Sequence, residues 1–241
     1  MKSIALLANR ELKFYLTTMW GYGILAVILF IDGLLFNAFA IGEKPKYSAE
    51  VLEQFFYFSS GPTMIAGILL SMRLISEERT KGTDTLIFGA PISSGQIILG
   101  KFIGAFAFLS IIILLTCYMP ALIFIEGRVS IGSIFVGYIG LLSMGAATVA
   151  IGTFCSTLAN KQIFVALLGT VLLVFLLLGW LLGKITNPPF DEFFSYIAFF
   201  DRHFQPFMRG KINTESLFYF FSITFAFLLL STQILDSRRQ A

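Results

Sequence analysis

Residues 131–158 read IGSIFVGYIGLLSMGAATVAIGTFCSTL and contain no Asp, Glu, Lys, Arg or His. About 20 consecutive apolar residues let an α-helix cross the hydrocarbon core of a bilayer. A run this long and this uncharged predicts a membrane span. Working outward, Ile97–Ile125 and Ile163–Gly183 flank it as further apolar runs. Beyond them lie Phe56–Ile75, Ser216–Leu235 and, nearest the N-terminus, Gly21–Ile41. All six runs are expected to be helices, because lipid offers no water to satisfy open backbone groups. The third is long enough to tilt, or to bend at Pro120. The fold class is therefore an all-α membrane protein with six transmembrane helices, forming one domain over residues 1–241.

Composition agrees. The chain is 57% hydrophobic and 13% charged, with 28 Phe, where soluble proteins carry about 25% charged residues. Its net charge of +3 is too small for a nucleic-acid partner. Cys117 and Cys155 both lie inside apolar runs and read as small buried hydrophobes. Ala38-Phe39-Ala40 looks like a signal-peptide cleavage site. However, residues 1–20 are too long for a charged leader, so the first run is kept as a span. Lys and Arg favour the side of both termini, with fewer acids there than opposite. This orientation makes both termini cytoplasmic.

Four segments fall outside the spans. Over residues 2–19, Ile4, Ala8, Leu12, Tyr15 and Met19 recur at helical spacing on one side, with Arg10, Lys13 and Thr17 on the other. This reads as an interfacial amphipathic helix; the alternative is a polar extension of the first span. Between Arg73 and Ile97 lies the densest charge cluster of the chain, centred on a region over residues 76–96. There Gly82 can end a helix leaving the second span. Thr83 can cap a short new helix closed by Pro91, and Ser93 with Gln96 can open the third span as a capping box. Leu86, Ile87 and Phe88 give the short helix an apolar side that a merely solvated loop would not need. Residues 184–215 are rich in Phe and broken by Pro188, Pro189 and Pro206. On the exterior side they would lie in the outer interface or dip into the membrane as short re-entrant helices, because an unbroken loop of this length is uncommon. Residues 42–55 form a short acidic outer loop.

Three features inside the spans carry weight. Asp32 is the one carboxylate well within an apolar run. Such a residue reads either as a pathway or gating group or as a polar contact between helices. Gly100 and Gly104 form a GxxxG, and the fourth span is rich in Gly, Ala and Ser. Both suit close helix packing, against either the same chain or a second copy. No phosphate loop, HExxH, GxSxG or CxxC motif is present. His203, with neighbouring Phe204, is the only histidine, so no multi-histidine metal site forms within one chain. It reads as a packed side chain or, with Arg202, as an anion contact. An energy source therefore implies an ATP site on another chain.

These arrangements resemble the permease subunits of ABC exporters of the second type, also called type V. The likeness is nearest to gliding-motility-associated and nitrous-oxide-reductase-maturation permeases. Three stretches carry it: Arg10-Glu-Leu-Lys13 through Trp20-Gly-Tyr22 into Gly33-Leu-Leu-Phe36; Glu77-Glu-Arg79 through Gly82-Thr83-Asp-Thr-Leu86 to Pro91-Ile-Ser93 and Leu99-Gly-Lys101; and His203-Phe204, Phe207 and Arg209-Gly-Lys-Ile212. The family pattern commonly has Glu where Asp84 or Thr85 stands here. The resemblance implies a bacterial inner-membrane exporter subunit that is not itself an enzyme. It would pair with a second permease chain, the same or homologous, and with two cytoplasmic ABC ATPases that bind the ATP and Mg. No cofactor is expected in this chain. Glu77, Glu78, Arg79, Gly82, Thr83 and Leu86 would form or flank a cytoplasmic coupling helix seated in the ATPase. Asp32, His203 and Phe204 would be pathway or gate candidates. Two rival readings are a mechanical scaffold driven by the same ATPase, and a lipid-directed enzyme using Asp201, Arg202 and His203.

Overall fold

The computed structural model describes residues 2–41, 47–82, 92–126, 129–185 and 196–240. Among these residues all regular structure is helical, and six helical stretches are long and apolar enough to cross a membrane. Helix α1 (Lys2–Thr17) precedes the first span, where α2 (Met19–Leu35) passes into a π-helical turn over Phe36–Ile41. The second span contains α3 (Ser48–Ser71), a turn, and α4 (Ser76–Thr80). The third contains α5 (Ser94–Leu115) and α6 (Tyr118–Glu126), and the fourth is α7 (Ile131–Leu158). The fifth contains α8 (Gln162–Leu177) and α9 (Gly179–Ile185). A short α10 (Gln205–Met208) precedes the sixth, α11 (Thr214–Gln240).

The spans match the apolar runs, with two instructive differences. The second helix begins at Ser48, well before its apolar run, because Glu50 and Glu53 continue it out of the lipid. Hydropathy marks lipid contact and not helix length. The third span breaks at Thr116–Cys117, not at Pro120 itself. Proline lacks the N–H that would bond to the carbonyl four residues earlier, and its ring crowds that carbonyl; four residues before Pro120 is Thr116. Ser93 accepts from the Gln96 N–H at 3.4 Å and caps α5, as its spacing suggests.

Helix α7 is the centre of the bundle and packs on α3, α5, α8 and α11. Its small residues admit neighbours from the same chain: Leu109 and Ile113 lie at Gly145, Ser71 at Gly152, and Phe207 of α10 at Gly140. The GxxxG of the third span is likewise occupied from within. Leu7 and the Ile4 carbonyl lie over Gly100, while Glu11 and the Ala8 carbonyl lie over Gly104. Tyr15 then stacks on Phe108 at 5.1 Å. These pairs ascend together, so α1 runs alongside the third span in the same direction. Tyr15 is fully buried and its hydroxyl donates to the Leu70 carbonyl at 2.7 Å. Met19, placed on the apolar side by periodicity, is 91% exposed at the start of α2.

The aromatic segment before the sixth span folds onto one end of the bundle. Its Phe199, Phe204 and Phe207 are fully buried, and Tyr219 donates to the Ile197 carbonyl at 2.6 Å. Of the expected short helices, α10 lies among the described residues, and residues 186–195 fall outside them.

Candidate functional site

Helix α4 reads Ser76-Glu-Glu-Arg-Thr80 and begins one turn after α3 ends. It stops at Lys81–Gly82, where Gly82 adopts φ +67. Glycine enters that left-handed region at little cost, whereas a Cβ is disfavoured there. Glu78 and Arg79 of α4 are drawn into the protein by partners on other elements.

On one side α4 meets α1 and the third span. Lys101 is 1% exposed, and its Nζ donates to Glu78 Oε1 at 2.7 Å, to the Leu74 carbonyl at 2.6 Å and to Glu11 Oε1 at 3.2 Å. Arg10 donates to both carboxylates, each at 3.0 Å. Two cations and two anions thus balance, and a buried ammonium is tolerable only when so paired. Glu77 carries a second set. It accepts from Arg73 at 2.8 Å and from Lys81 at 2.6 Å, both one helical turn away. The Arg73 guanidinium also lies 3.4 Å above the ring centroid of Phe14 on α1, a cation–π contact. These groups surround a cavity of about 230 Å³.

On the other side α4 is fastened to the end of α7. Ser156 Oγ accepts from the backbone N–H of Ile75 and Ser76 at 3.0 and 3.1 Å. Arg79 donates to the Thr157 carbonyl at 2.8 Å, and Thr80 to the Asn160 carbonyl at 3.0 Å. One short helix is therefore bonded to α1, to the base of the third span, and to the turn joining the fourth and fifth spans.

Burial alone would raise the Glu11 carboxyl, but Lys101 beside it and the Arg10 guanidinium outweigh burial and hold it below its ordinary value. Glu11 is therefore a carboxylate at neutral pH. Glu77, Glu78, Arg79 and Gly82 come together here, whereas Thr83 and Leu86 lie outside the described residues.

Asp32, His203 and Phe204 lie apart from this hub. Asp32 is 4% exposed and shares a hydrogen bond with Ser59 of the second span; among the described residues its Oδ1 has no partner. His203 is fully buried, stacks on Tyr219 at 3.7 Å, and bonds the Tyr196 carbonyl through Nε2 at 2.9 Å. Burial first, and then the Arg202 charge, lower its pKa beyond what the Tyr196 carbonyl restores. This is a packed, neutral imidazole. Phe204 is buried beside Phe200.

Lys101, Arg10 and Glu11 form no site motif recognisable in the sequence. A lysine four residues into an apolar run was a signal: such a charge demands a buried partner. The Ser156–Asn160 contacts had no comparable signal, since Ser and Asn at a helix end are common.

The family described as ABC-2 family transporter protein matches residues 33–235, most of the chain. No curated protein matches it. With six apolar helices and a family match of this extent, the chain belongs to the ABC-2 family transporter proteins: it is a multi-pass membrane permease of an ABC transporter that works with an ABC ATPase.

Proposed function

We propose that this permease is an exporter subunit that converts ATP hydrolysis on two separate cytoplasmic ATPase subunits into movement of a substrate across a bacterial inner membrane. The carrying observation is the double attachment of α4: Glu78 to Lys101 and Arg10 on one side, Arg79 and Thr80 to Thr157 and Asn160 on the other. A contiguous set of short polar links is a physical route for displacement. A push on the segment after Thr80 displaces α1, the third span and the fourth–fifth turn together. Only a ligand that binds two states unequally drives such a change; here that ligand is ATP, held by the partners. In this reading the ATP chemistry belongs to the partners and the part of this chain is mechanical.

A second permease, identical or homologous, docks on the first and fifth spans. The first, fifth and sixth are all poorly covered within the chain, with 28%, 24% and 22% of their apolar windows buried against 72% for the second; at the sixth, part of that open surface is a groove shared with the third and fourth spans. The substrate path then runs between the two permeases. Cytoplasmic placement of both termini is supported by the clustering of Arg10, Lys101, Arg238 and Arg239 at one end of the bundle. Arg238 bonds the Leu158 carbonyl at 3.0 Å, and Arg239 bonds that of Ile92 at 2.7 Å. A lipid-directed enzyme built on His203 is disfavoured, because that imidazole is stacked and buried.

The test is a Glu78→Ala/Arg79→Ala double variant purified with its ATPase. ATP hydrolysis is expected to persist while transport-linked conformational cycling is lost and membrane insertion stays normal. Cycling at the wild-type rate would sink the reading.

A further inference from the structure

Between the third, fourth and sixth spans, away from the charged hub, lies a groove of about 680 Å³. The third span contributes Phe106, the fourth Leu142 and Ala146, and the sixth Leu217, Phe218 and Phe221. Only the hydroxyls of Ser143, Thr214 and Thr224 interrupt this carbon surface, and that of Thr224 already donates to the Phe220 carbonyl at 2.8 Å. Among the described residues no charged side chain lines it.

The length of the groove narrows its occupant. On α11 the lining extends from Thr214 to Thr224, which at the rise of an α-helix is about 15 Å. That is half of the roughly 30 Å hydrocarbon core, the depth of a single leaflet. A partner helix would need a groove along the full span. A hydrocarbon chain anchored at the interface needs only this much.

The Thr214 end carries the complementary charge. Lys211 is exposed three residues before Thr214. Glu215, in the first turn of α11, is already engaged by Arg202 at 3.2 Å. Thr214 also opens α11, and the first turn of a helix favours negative charge. Apolar depth and the exposed Lys211 near its end together fit an amphiphile with an anionic phosphate.

We propose that this groove is a phospholipid site, with one acyl chain between the third, fourth and sixth spans and the phosphate beside Lys211 and the start of α11. The inference is independent of the ATP-coupling reading. A resident lipid there wedges the sixth span against the third and fourth at one leaflet only.

The test reconstitutes the full chain in vesicles of phosphatidylethanolamine and phosphatidylglycerol, the latter carrying a photoactivatable group in one acyl chain. Crosslinked peptides are mapped by mass spectrometry. Labelling at Phe106, Phe218 and Phe221 is expected to exceed by several-fold that at Phe30 and Val171, which are exposed apolar residues of the first and fifth spans. Ala146→Trp fills the groove and is expected to abolish the excess while leaving Phe30 and Val171 labelled, which also reports that the bundle still folds. Lys211→Glu leaves the groove open and is expected to lower its labelling by the phosphatidylglycerol probe about fivefold, the worth of one basic residue at an anionic headgroup. Even labelling over all exposed faces overturns the proposal. So does groove labelling unchanged in both variants, or labelling that vanishes when a partner subunit co-purifies, since the subunit is then the occupant.

Discussion

Lys101 holds the hub together through three partners from a position without solvent. Removing it leaves the Glu11 and Glu78 carboxylates facing each other, with Arg10 the cation they share among the described residues. Breaking a buried pair in this way costs about 3–5 kcal/mol. Lys101→Met is therefore expected to lower the thermal unfolding midpoint in detergent strongly, and Lys101→Met/Glu78→Gln to recover part of the loss. A Lys101→Met protein as stable as wild type would show that the ion pairs contribute nothing net.

Two side chains give the stability a pH dependence at acid pH. Glu11 has a folded pKa below its ordinary 4.5. Its contribution is complete above that value and is lost as pH falls through the lower folded one. His203 has a folded pKa below its ordinary 6.5. Between those two values the unfolded chain binds more protons than the folded one, so stability declines as pH falls below 6.5. In His203→Phe, melting curves recorded at successive pH values should lose this upper part of the decline and keep the Glu11 part. A pH profile identical to wild type would mean that the imidazole titrates as it does in water.

At the scale of elements, the seat of α1 on the third span is the contact most sensitive to volume. A Cβ on Gly104 would come within 2.6 Å of Glu11 Cβ and 2.8 Å of the Ala8 carbonyl, and larger side chains would force the helices apart. Gly104→Leu is expected to lift α1 and pull Arg10 and Glu11 away from Lys101. Limited trypsin digestion reads this directly, because Lys13 on α1 becomes several-fold more susceptible. Cleavage at the wild-type rate would mean that α1 stays seated by other contacts. The same helix shows what periodicity delivers and what it omits. Tyr15 belonged to the expected apolar side and is buried. Glu11 belonged to no apolar stripe, yet it is 6% exposed. Its burial depends on a lysine ninety residues later in the chain, which no local pattern reports.

For the whole molecule, the uneven covering of the six spans is the main fact. The second, third and fourth bury most of their apolar windows within the chain, while the first, fifth and sixth bury 28%, 24% and 22%. Lipid or a second subunit must cover the remainder. A single cysteine at Val171 is expected to crosslink to the second permease through a short bis-maleimide, whereas one at Phe218 is not. Crosslinking at Phe218 alone would move the interface to the sixth span.

The sequence by itself determined that this chain crosses a membrane six times as helices. Transfer into lipid is a local property that sums along the chain, and lipid leaves helices as the means of satisfying the backbone. It also marked α4 as a charged segment ended by Gly82. Only the tertiary structure decided which surfaces those features meet. Gly100 and Gly104 receive α1 of the same chain, and Glu78 turns inward to Lys101 while Arg79 reaches Thr157. Contacts between elements far apart in sequence depend on how the helices pack. A close-packed interior selects those partners by shape and charge together.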